Sequence, residues 1–466
     1  MPLAGVLRFL LKSRQPIEEM KIIIAGAYAI GNYLASLLAR SNEEITIIDT
    51  DEEALESINP DLDVLTMQAS PISIKALREI GTPNADLFIA VTHDQEVNMC
   101  ACTMAKSLGV RHTVAKVEEY EYAKPKNSDV LKAMGIDSII YPEMLAAQDI
   151  IRGLKMSWVR QRWDVYGGAL TMLGIKLREG CTILDRPLKE LIGPDDPYHV
   201  VAIKRGNETI IPRGDDTLQL YDIAYFMTTP QNIPLIRRIV GKEKYEDVSN
   251  VMIMGGGKTA VRTAMTMPEY MNYKLIEIDP QRCEELNEIL KRNDYIINGD
   301  ARDTSLLVEE GIRSAQAFVA LTGSSEANIL ACLTAKRHGV RKTVAIVENV
   351  DYVDMAESLD IGTIINKKAI AASRIYEMTL EGKASNVRFL MHAKADVAEF
   401  TASPGSLVTK KRVFELSLPK GCTLGGLVRN GEGILISGGT QIQAGDIVMA
   451  FCHNADMHRL EKLFVK

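Results

Sequence analysis

The stretch Leu87–Glu118, LFIAVTHDQEVNMCACTMAKSLGVRHTVAKVE, is written a second time at Ala317–Glu348 as AFVALTGSSEANILACLTAKRHGVRKTVAIVE. The two copies align without a gap and share about 17 of 32 positions, far beyond chance pairing. Each lies inside a larger unit opened by a short apolar run that ends in a glycine-containing turn, Ile22–Gly31 in one case and Val251–Ala260 in the other. From the first turn onward, β-rich apolar runs alternate with helical stretches, the pattern of βαβ units on a parallel sheet. Strands are predicted near 21–25, 45–49, 64–67, 87–91, 113–117 and 138–140, and again near 250–254, 274–278, 295–297, 317–321, 343–347 and 363–365. Right-handed crossovers then give an α/β fold with two doubly wound, Rossmann-like parallel sheets.

After its sixth strand each unit runs into a helix, Pro142–Leu154 or Lys367–Glu381. Residues 169–229 and 397–451 then change texture, with Gly- and Asp-rich turns between short alternating stretches. Both close on a similar phrase, TLQLYD at 217–222 and QIQAGD at 441–446, and read as small α+β domains of hairpins. Gln231–Asp247 is the connecting stretch. The expected order is an extension at 1–19, a sheet domain at 20–154, a small domain at 155–232, a linker at 233–247, a second sheet domain at 248–381 and a second small domain at 382–466.

Composition narrows the class. The chain has 466 residues, 46% apolar and 25% charged, with a net charge of −7. An acidic balance argues against a footprint for nucleic acid or anionic lipid. No apolar run approaches the roughly 18 residues a spanning helix needs, so a soluble protein that could dock on a membrane partner is expected. In Met1–Glu19 the apolar run Ala4–Leu11 precedes Lys12 and Arg14, the reverse of a signal peptide, and reads as an extension. Seven cysteines without a Cys-x-x-Cys suggest a reducing compartment. Cys100 and Cys102, two apart on a predicted helix, face different sides and are read as structural.

The second turn, Gly255–Gly256–Gly257–Lys258–Thr259–Ala260, fits G-x-G-x-x-A. The first Gly makes the turn, the second lets backbone N–H groups approach a pyrophosphate, and the small third residue brings helix against strand. It follows a strand, opens a helix, and precedes by about 20 residues a strand ending in Glu277 and Asp279. A P-loop would need Gly where Met252 stands. The first turn, Gly26–Ala27–Tyr28–Ala29–Ile30–Gly31, carries Tyr28 where backbone would meet phosphate, so that side chain covers the pocket or displaces the phosphates. Asp49 and Asp51 align with Glu277 and Asp279. A carboxylate there suits ribose hydroxyls and disfavours a 2′-phosphate, while capping of the next helix is the competing reading.

Gly299–Asp300–Ala301 follows the third strand of the second unit, where the first has Ala69–Ser70. Thr92 and Thr322 end the fourth strands, as base or ribose contacts or as helix caps. Lys116 ends the fifth strand, against Ile346 in the second unit. Catalysis finds little support: the seven histidines form no recognisable acid–base pair or metal-ligand cluster, and His93, at a crevice-facing strand end, is matched by Gly323.

The strings IIIAGAYAIGNYLA, ITIIDTDEEAL, FIAVTHDQEVNMCACTMAK, IMGGGKTAVRTA, LIEIDPQRCEEL, INGDARD and FVALTGSSEANILACLTAK, in this doubled order, resemble the TrkA family of regulatory subunits of bacterial Trk potassium-uptake systems. The resemblance implies RCK (KTN) sheet domains that bind NAD(H) and adenine nucleotides such as ATP and ADP, and RCK_C small domains. It implies a homo-oligomeric ring, a tetramer, beneath a membrane-embedded potassium translocator, on the cytoplasmic face. Carried over, the contacts are Gly255, Gly257, Lys258, Glu277, Asp300 and Thr322 in the second unit, and Gly26, Ile30, Asp49, Thr92, His93 and Lys116 in the first. Tyr28, Ala69–Ser70 and Ile346 depart from the family pattern. Leu145, Ile150, Ile151, Ile370 and Ile375 are candidates for the subunit interface, with ordinary packing within one domain as the competing reading. A non-enzymatic nucleotide sensor is therefore expected; the alternatives are an NAD-dependent oxidoreductase and a sensing subunit of another channel or exporter.

Overall fold

The strand-rich runs set out above all become strands. The computed structural model describes residues 20–39, 43–191, 193, 197–206, 208–245, 247–290, 295–349, 351–380, 385–389, 396–452 and 457–465, so the extension 1–19 lies outside the described residues. Strands β1 (Lys21–Ala25), β2 (Glu44–Asp49), β3 (Leu65–Gln68), β4 (Leu87–Ala90), β5 (His112–Lys116) and β6 (Ser138–Ile140) form one parallel sheet in the order β3-β2-β1-β4-β5-β6. Ile22, Ile23 and Ile24 are wholly buried, as a central strand covered on both faces requires. The order reverses between β1 and β4, and the crevice at their carboxyl ends is where ligands of such sheets sit.

An antiparallel sheet follows, from β7 (Gln161–Val165), β8 (Leu170–Lys176), β9 (Tyr198–Arg205), β10 (Glu208–Ile210) and β11 (Ile223–Thr228), in the order β10-β9-β11-β8-β7. Strands β12 (Asn250–Met254), β13 (Asn272–Glu277), β14 (Tyr295–Asn298), β15 (Ala317–Ala320), β16 (Lys342–Ile346) and β17 (Thr363–Ile365) repeat the parallel sheet in the order β14-β13-β12-β15-β16-β17. Strands β18 (Ser385–Phe389), β19 (Asp396–Thr401), β20 (Cys422–Arg429), β21 (Glu432–Leu435) and β22 (Ile447–Cys452), ordered β18-β19-β22-β20-β21, repeat the antiparallel one. The strands of both parallel sheets lie within one or two residues of their expected bounds.

The duplicated closing phrases have a structural job. Asp222 and Asp446, each 2% exposed, take a two-pronged guanidinium, Arg205 at 2.8 Å and Arg429 at 2.7 Å. Each also accepts the backbone N–H three residues back, Gln219 or Gln443, at 2.8 Å. The turn before the last strand of each small domain is thereby fixed by a satisfied, charge-assisted network. The two small domains share a core in which Val165, Leu170 and Tyr225 meet Val397, Val428 and Phe451.

The chain divides into two compact units, 1–141 with Ala371–Tyr376, and 142–370 with 377–466. Helix Pro142–Lys155 belongs to the second of these. Its apolar face, Ala146, Ile150 and Leu154 at a spacing of four, is buried with Val251, Ile253, Ala260 and Ala264 of the second parallel sheet and its first helix. The interface candidates are accordingly covered by the chain itself: Ile150, Ile151, Ile370 and Ile375 are 0, 6, 7 and 0% exposed, and Leu145 packs against the same core as Ile150. Sequence periodicity shows that a helix has an apolar face but not which sheet receives it, and that is why they read as candidates for contact between subunits. Cys102 and Cys332 are buried, with their thiols on the carbonyls of Val114 and Val344, and burial pushes the Cys332 thiol up to about 12.

This placement predicts that Ile150→Ala costs about 2–4 kcal/mol and that native-state hydrogen exchange accelerates in β12 and β13. Loss of protection confined to β1 and β2 would contradict it.

Candidate functional site

Each parallel sheet builds a strand–turn–helix corner at the crevice. In the second, β12 ends at Met254 and Gly255 turns the chain with φ +96°, its N–H donating to the Ile276 carbonyl at 2.8 Å. The Glu277 carboxylate, at the end of β13, accepts the Gly256 N–H at 2.6 Å through Oε2 and the Asp279 N–H at 2.9 Å through Oε1. Arg282, in the first turn of helix Pro280–Ile289, donates to the Gly256 carbonyl at 3.0 Å and clamps the loop from its other polar edge. Sequence reasoning passed over Arg282; the signal was a cation in the turn that directly follows Glu277 and Asp279.

Gly257 then starts helix Lys258–Thr266 with no side chain capping it and no acidic residue in the first turn. A Cβ added at 257 would meet nothing within 4 Å among the described residues. Uncapped N–H groups at a helix start, open space before them and an exposed Lys258 make a seat for a negatively charged group. Thr259, 4% exposed, and Ala260 face inward and let the helix lie close to the sheet.

The first sheet keeps the same corner and fills it. Gly26 turns at φ +119°, and Asp49, 5% exposed, accepts the Ala27 N–H at 2.7 Å and the Asp51 N–H at 3.0 Å. Gly31 is obligatory, because a Cβ there would lie 1.8 Å from the Gly26 carbonyl oxygen. Tyr28 begins helix Ala29–Leu38, and Ala29 and Ile30 form its first turn. The Tyr28 hydroxyl donates to Asp51, and its ring sits 4.2 Å from that of His93, tilted by 57°. That side chain spans the crevice from the end of β2 to the loop after β4. Its hydrogen bond holds the Asp51 carboxyl below, and the Tyr28 hydroxyl above, their ordinary values.

The remaining candidates are already engaged. Asp51 and Asp279 cap the helices that follow, accepting from the Ala54 and Gln281 N–H groups at 3.2 and 2.9 Å. Thr92 and Thr322 donate their hydroxyls to Asn98 and Asn328, both at 2.7 Å. These two asparagines are wholly buried and also donate to the carbonyls of Lys116 and Ile346, at 3.1 and 2.9 Å. Each stitches the end of the fourth strand to the fifth and fixes the loop that carries the Thr. Lys116 donates to the Thr92 carbonyl at 3.1 Å and to Glu118 at 2.9 Å, so it is turned into its own loop. Arg302 grips Asp300 at 2.7 Å, and that hydrogen bond holds the carboxyl below its ordinary range. Among the described residues no group of three His, Cys, Asp or Glu could hold a metal ion, and no helix is long and apolar enough to cross a membrane.

Comparison with known proteins agrees with this architecture. The TrkA-N domain matches residues 22–142 and 251–367, and the TrkA-C domain matches 172–241 and 397–465. The chain is similar to the Trk system potassium uptake protein TrkA of Halomonas elongata, 31% identical with 96% of this chain and 98% of that one covered. It is similarly 30% identical to that of Haemophilus influenzae, with the same coverage. Among solved structures, the GsuK RCK domain superposes with a TM-score of 0.57 at 15% identity, covering 97% of this chain and 96% of that one. The GsuK channel bound to NAD superposes with a TM-score of 0.56 at 14% identity, covering 99% of this chain and 83% of that one. Two pairs of matching domains in the order of the doubled sequence, and identity sustained along nearly the whole length, place the chain in one family: it belongs to the TrkA family.

Proposed function

We propose that this chain is a nucleotide-sensing regulatory subunit of a potassium-uptake system, acting without catalysis of its own. The observation that carries the reading is the corner at Gly257, where a helix start without a side-chain cap leaves room for a Cβ with nothing described within 4 Å of it. Relatives at about 30% identity are named potassium uptake proteins, and one solved structure of the same fold is described as bound to NAD.

In this reading NAD(H), or an adenine nucleotide such as ATP or ADP, lays its phosphates on the N–H groups of Gly257 and Lys258, with the Lys258 ammonium beside them. The Gly255 turn and the Thr322 loop wall the site. Glu277 keeps lone pairs for ribose hydroxyls after serving two backbone N–H groups. Asp300 contributes at the edge. The first corner, at Gly26–Gly31, is covered by Tyr28 and stays without nucleotide.

The chain would work in a homo-oligomeric ring, a tetramer, at the cytoplasmic face of a membrane-embedded potassium translocator. A ligand that prefers one arrangement of the sheet domains shifts the ring's population toward it, and the transporter follows. Ligands with different phosphate charge favour different arrangements because the helix start and Lys258 respond to that charge.

Calorimetric titration of NADH, NAD, ATP and ADP tests the site. Gly257→Asp is expected to weaken all binding by at least about tenfold, or 1.4 kcal/mol, because it sets a carboxylate against the phosphates. Unchanged affinity in that variant would remove the site from the second sheet. Tyr28→Gly, which uncovers the first corner, is expected to raise NADH from one to two per chain; a stoichiometry still at one would show that Tyr28 is not what keeps that corner empty.

A further inference from the structure

A second concentration of charge lies away from both glycine turns, between β16 and β17 of the second parallel sheet and the first strands of the first small domain. Asp360 stands just before β17 with φ 55°. It receives Arg160, Arg178, Lys176 and Lys336, the two lysines at 3.2 Å. Burial acts to raise its pKa, but the charge of Arg160 and the hydrogen bond from Arg178 outweigh burial and hold it well below the carboxylate range. Glu357, the neighbouring carboxylate, is bound by Lys204.

Three further cations line the same cleft. Lys342, 4% exposed, donates to the Val159 carbonyl at 2.9 Å and to the Thr363 hydroxyl at 3.1 Å, and among the described residues it meets no carboxylate. Burial first, and then the charge of Arg160, lower its pKa to about 7. Lys242, also 4% exposed, donates to the Tyr245 hydroxyl at 2.9 Å, and Arg341 donates to the Lys244 carbonyl at 2.9 Å. Among the described residues seven cationic side chains therefore line one cleft, and Asp360, beside it, is bound to four of them. The cleft has a cavity volume of about 60 Å³ and opens to solvent. Beside it, a hollow that shares Arg160, Lys176 and Thr363 contains the wholly buried Tyr225 hydroxyl, which has no hydrogen-bond partner.

The fold itself does not demand this. At the matching place in the first sheet the sequence Gly135–Ile136–Asp137 replaces Asp360–Ile361–Gly362, so carboxylate and glycine exchange places. There Asp137 meets Lys106, the counterpart of Lys336, at 2.7 Å and serves the Thr113 N–H at 2.9 Å. The counterpart of Lys342 is the exposed His112. One carboxylate on one lysine secures the edge of the first sheet, so the excess positive charge in the second answers a need other than stability. Lys242 and Lys342 are each 4% exposed, and positive charge held that far from water is unfavourable until an anion compensates it.

We propose that this cleft binds a multiply charged phosphate group, an inorganic pyrophosphate or the phosphates of a soluble metabolite, at a site separate from the glycine turns. Arg160, Arg178 and Arg341 supply two-pronged donors for paired oxygens, and Lys242 and Lys342 supply point charges at the base. The Tyr225 phenol, kept protonated because burial raises its pKa, is a neutral donor at the inner end. Bound there, the anion joins the first small domain to the second sheet through its own charge and gives the protein a second signal beside the nucleotide.

The test is titration of pyrophosphate into the full chain at about 100 mM salt, with ADP as a parallel arm. Pyrophosphate is expected to bind the wild type and Gly257→Asp alike, to raise the melting temperature of both, and to bind Arg341→Gln and Lys342→Met at least about tenfold more weakly. Arg341 is exposed and its replacement leaves the core intact, so that variant decides the matter if Lys342→Met fails to fold. ADP that still binds Gly257→Asp and is lost in Arg341→Gln would identify nucleotide phosphates as the occupant. No binding at millimolar pyrophosphate, binding lost in Gly257→Asp, or binding unchanged in both basic variants would overturn the proposal, as would a change of oligomeric state in Arg341→Gln without any anion binding, which would mark the cleft as a seat for an acidic segment of another copy. None of these results depends on nucleotide binding at Gly257.

Discussion

One carboxylate at the end of the second strand of each parallel sheet organises everything nearby. Asp49 and Glu277 each spend one oxygen on the second residue of the glycine turn and the other on the backbone two residues further along. The two hydrogen bonds that this one side chain accepts from two loops fix where the first strand stops, how the turn opens and where the next helix begins. With the corner pinned, the N–H groups of the helix start have a defined direction, and whatever stands at the third position of the turn decides what reaches them. The anchor is common to both halves; what it presents is not.

The duplication lets each half act as a control for the other. With anchor, turn and threonine loop in common, the two corners differ at Tyr28 against Gly257, one a ring held by Asp51 and His93 and the other open space. The sheet edges differ in the same way, with a single lysine on Asp137 and four cations on Asp360. Duplication followed by local change has left one corner filled by a side chain and the other uncapped within one chain. Helix Pro142–Lys155 carries this further, since a segment that follows the first sheet in sequence completes the core of the second.

Much of this was legible from residue order because the determinants are local. Runs such as Ile22–Ala25 and Val251–Met254 read as buried central strands, and the glycines at 26, 31, 255 and 257 mark the strand–turn–helix corner of a doubly wound sheet. The repeated TLQLYD and QIQAGD phrases were visible as a pattern, though not as a network, because Arg205 and Arg429 lie 17 residues upstream of their aspartates. The reach of Tyr28 to Asp51 and His93, the buried roles of Asn98 and Asn328, and the gathering of Arg160, Arg178 and Lys342 around β17 all depend on contacts between segments far apart in sequence. Such contacts follow from packing, and no periodicity or spacing announces them.

The central claim is that phosphates settle on bare backbone at the second corner while Tyr28 closes the first. A crystal structure of the chain grown with NADH tests it most directly. The account predicts electron density for the dinucleotide against Gly257 and Lys258, with the Tyr28 ring still bridging Asp51 and His93. Density over the Gly26–Gly31 turn with the second corner empty, or no dinucleotide at either, would contradict it.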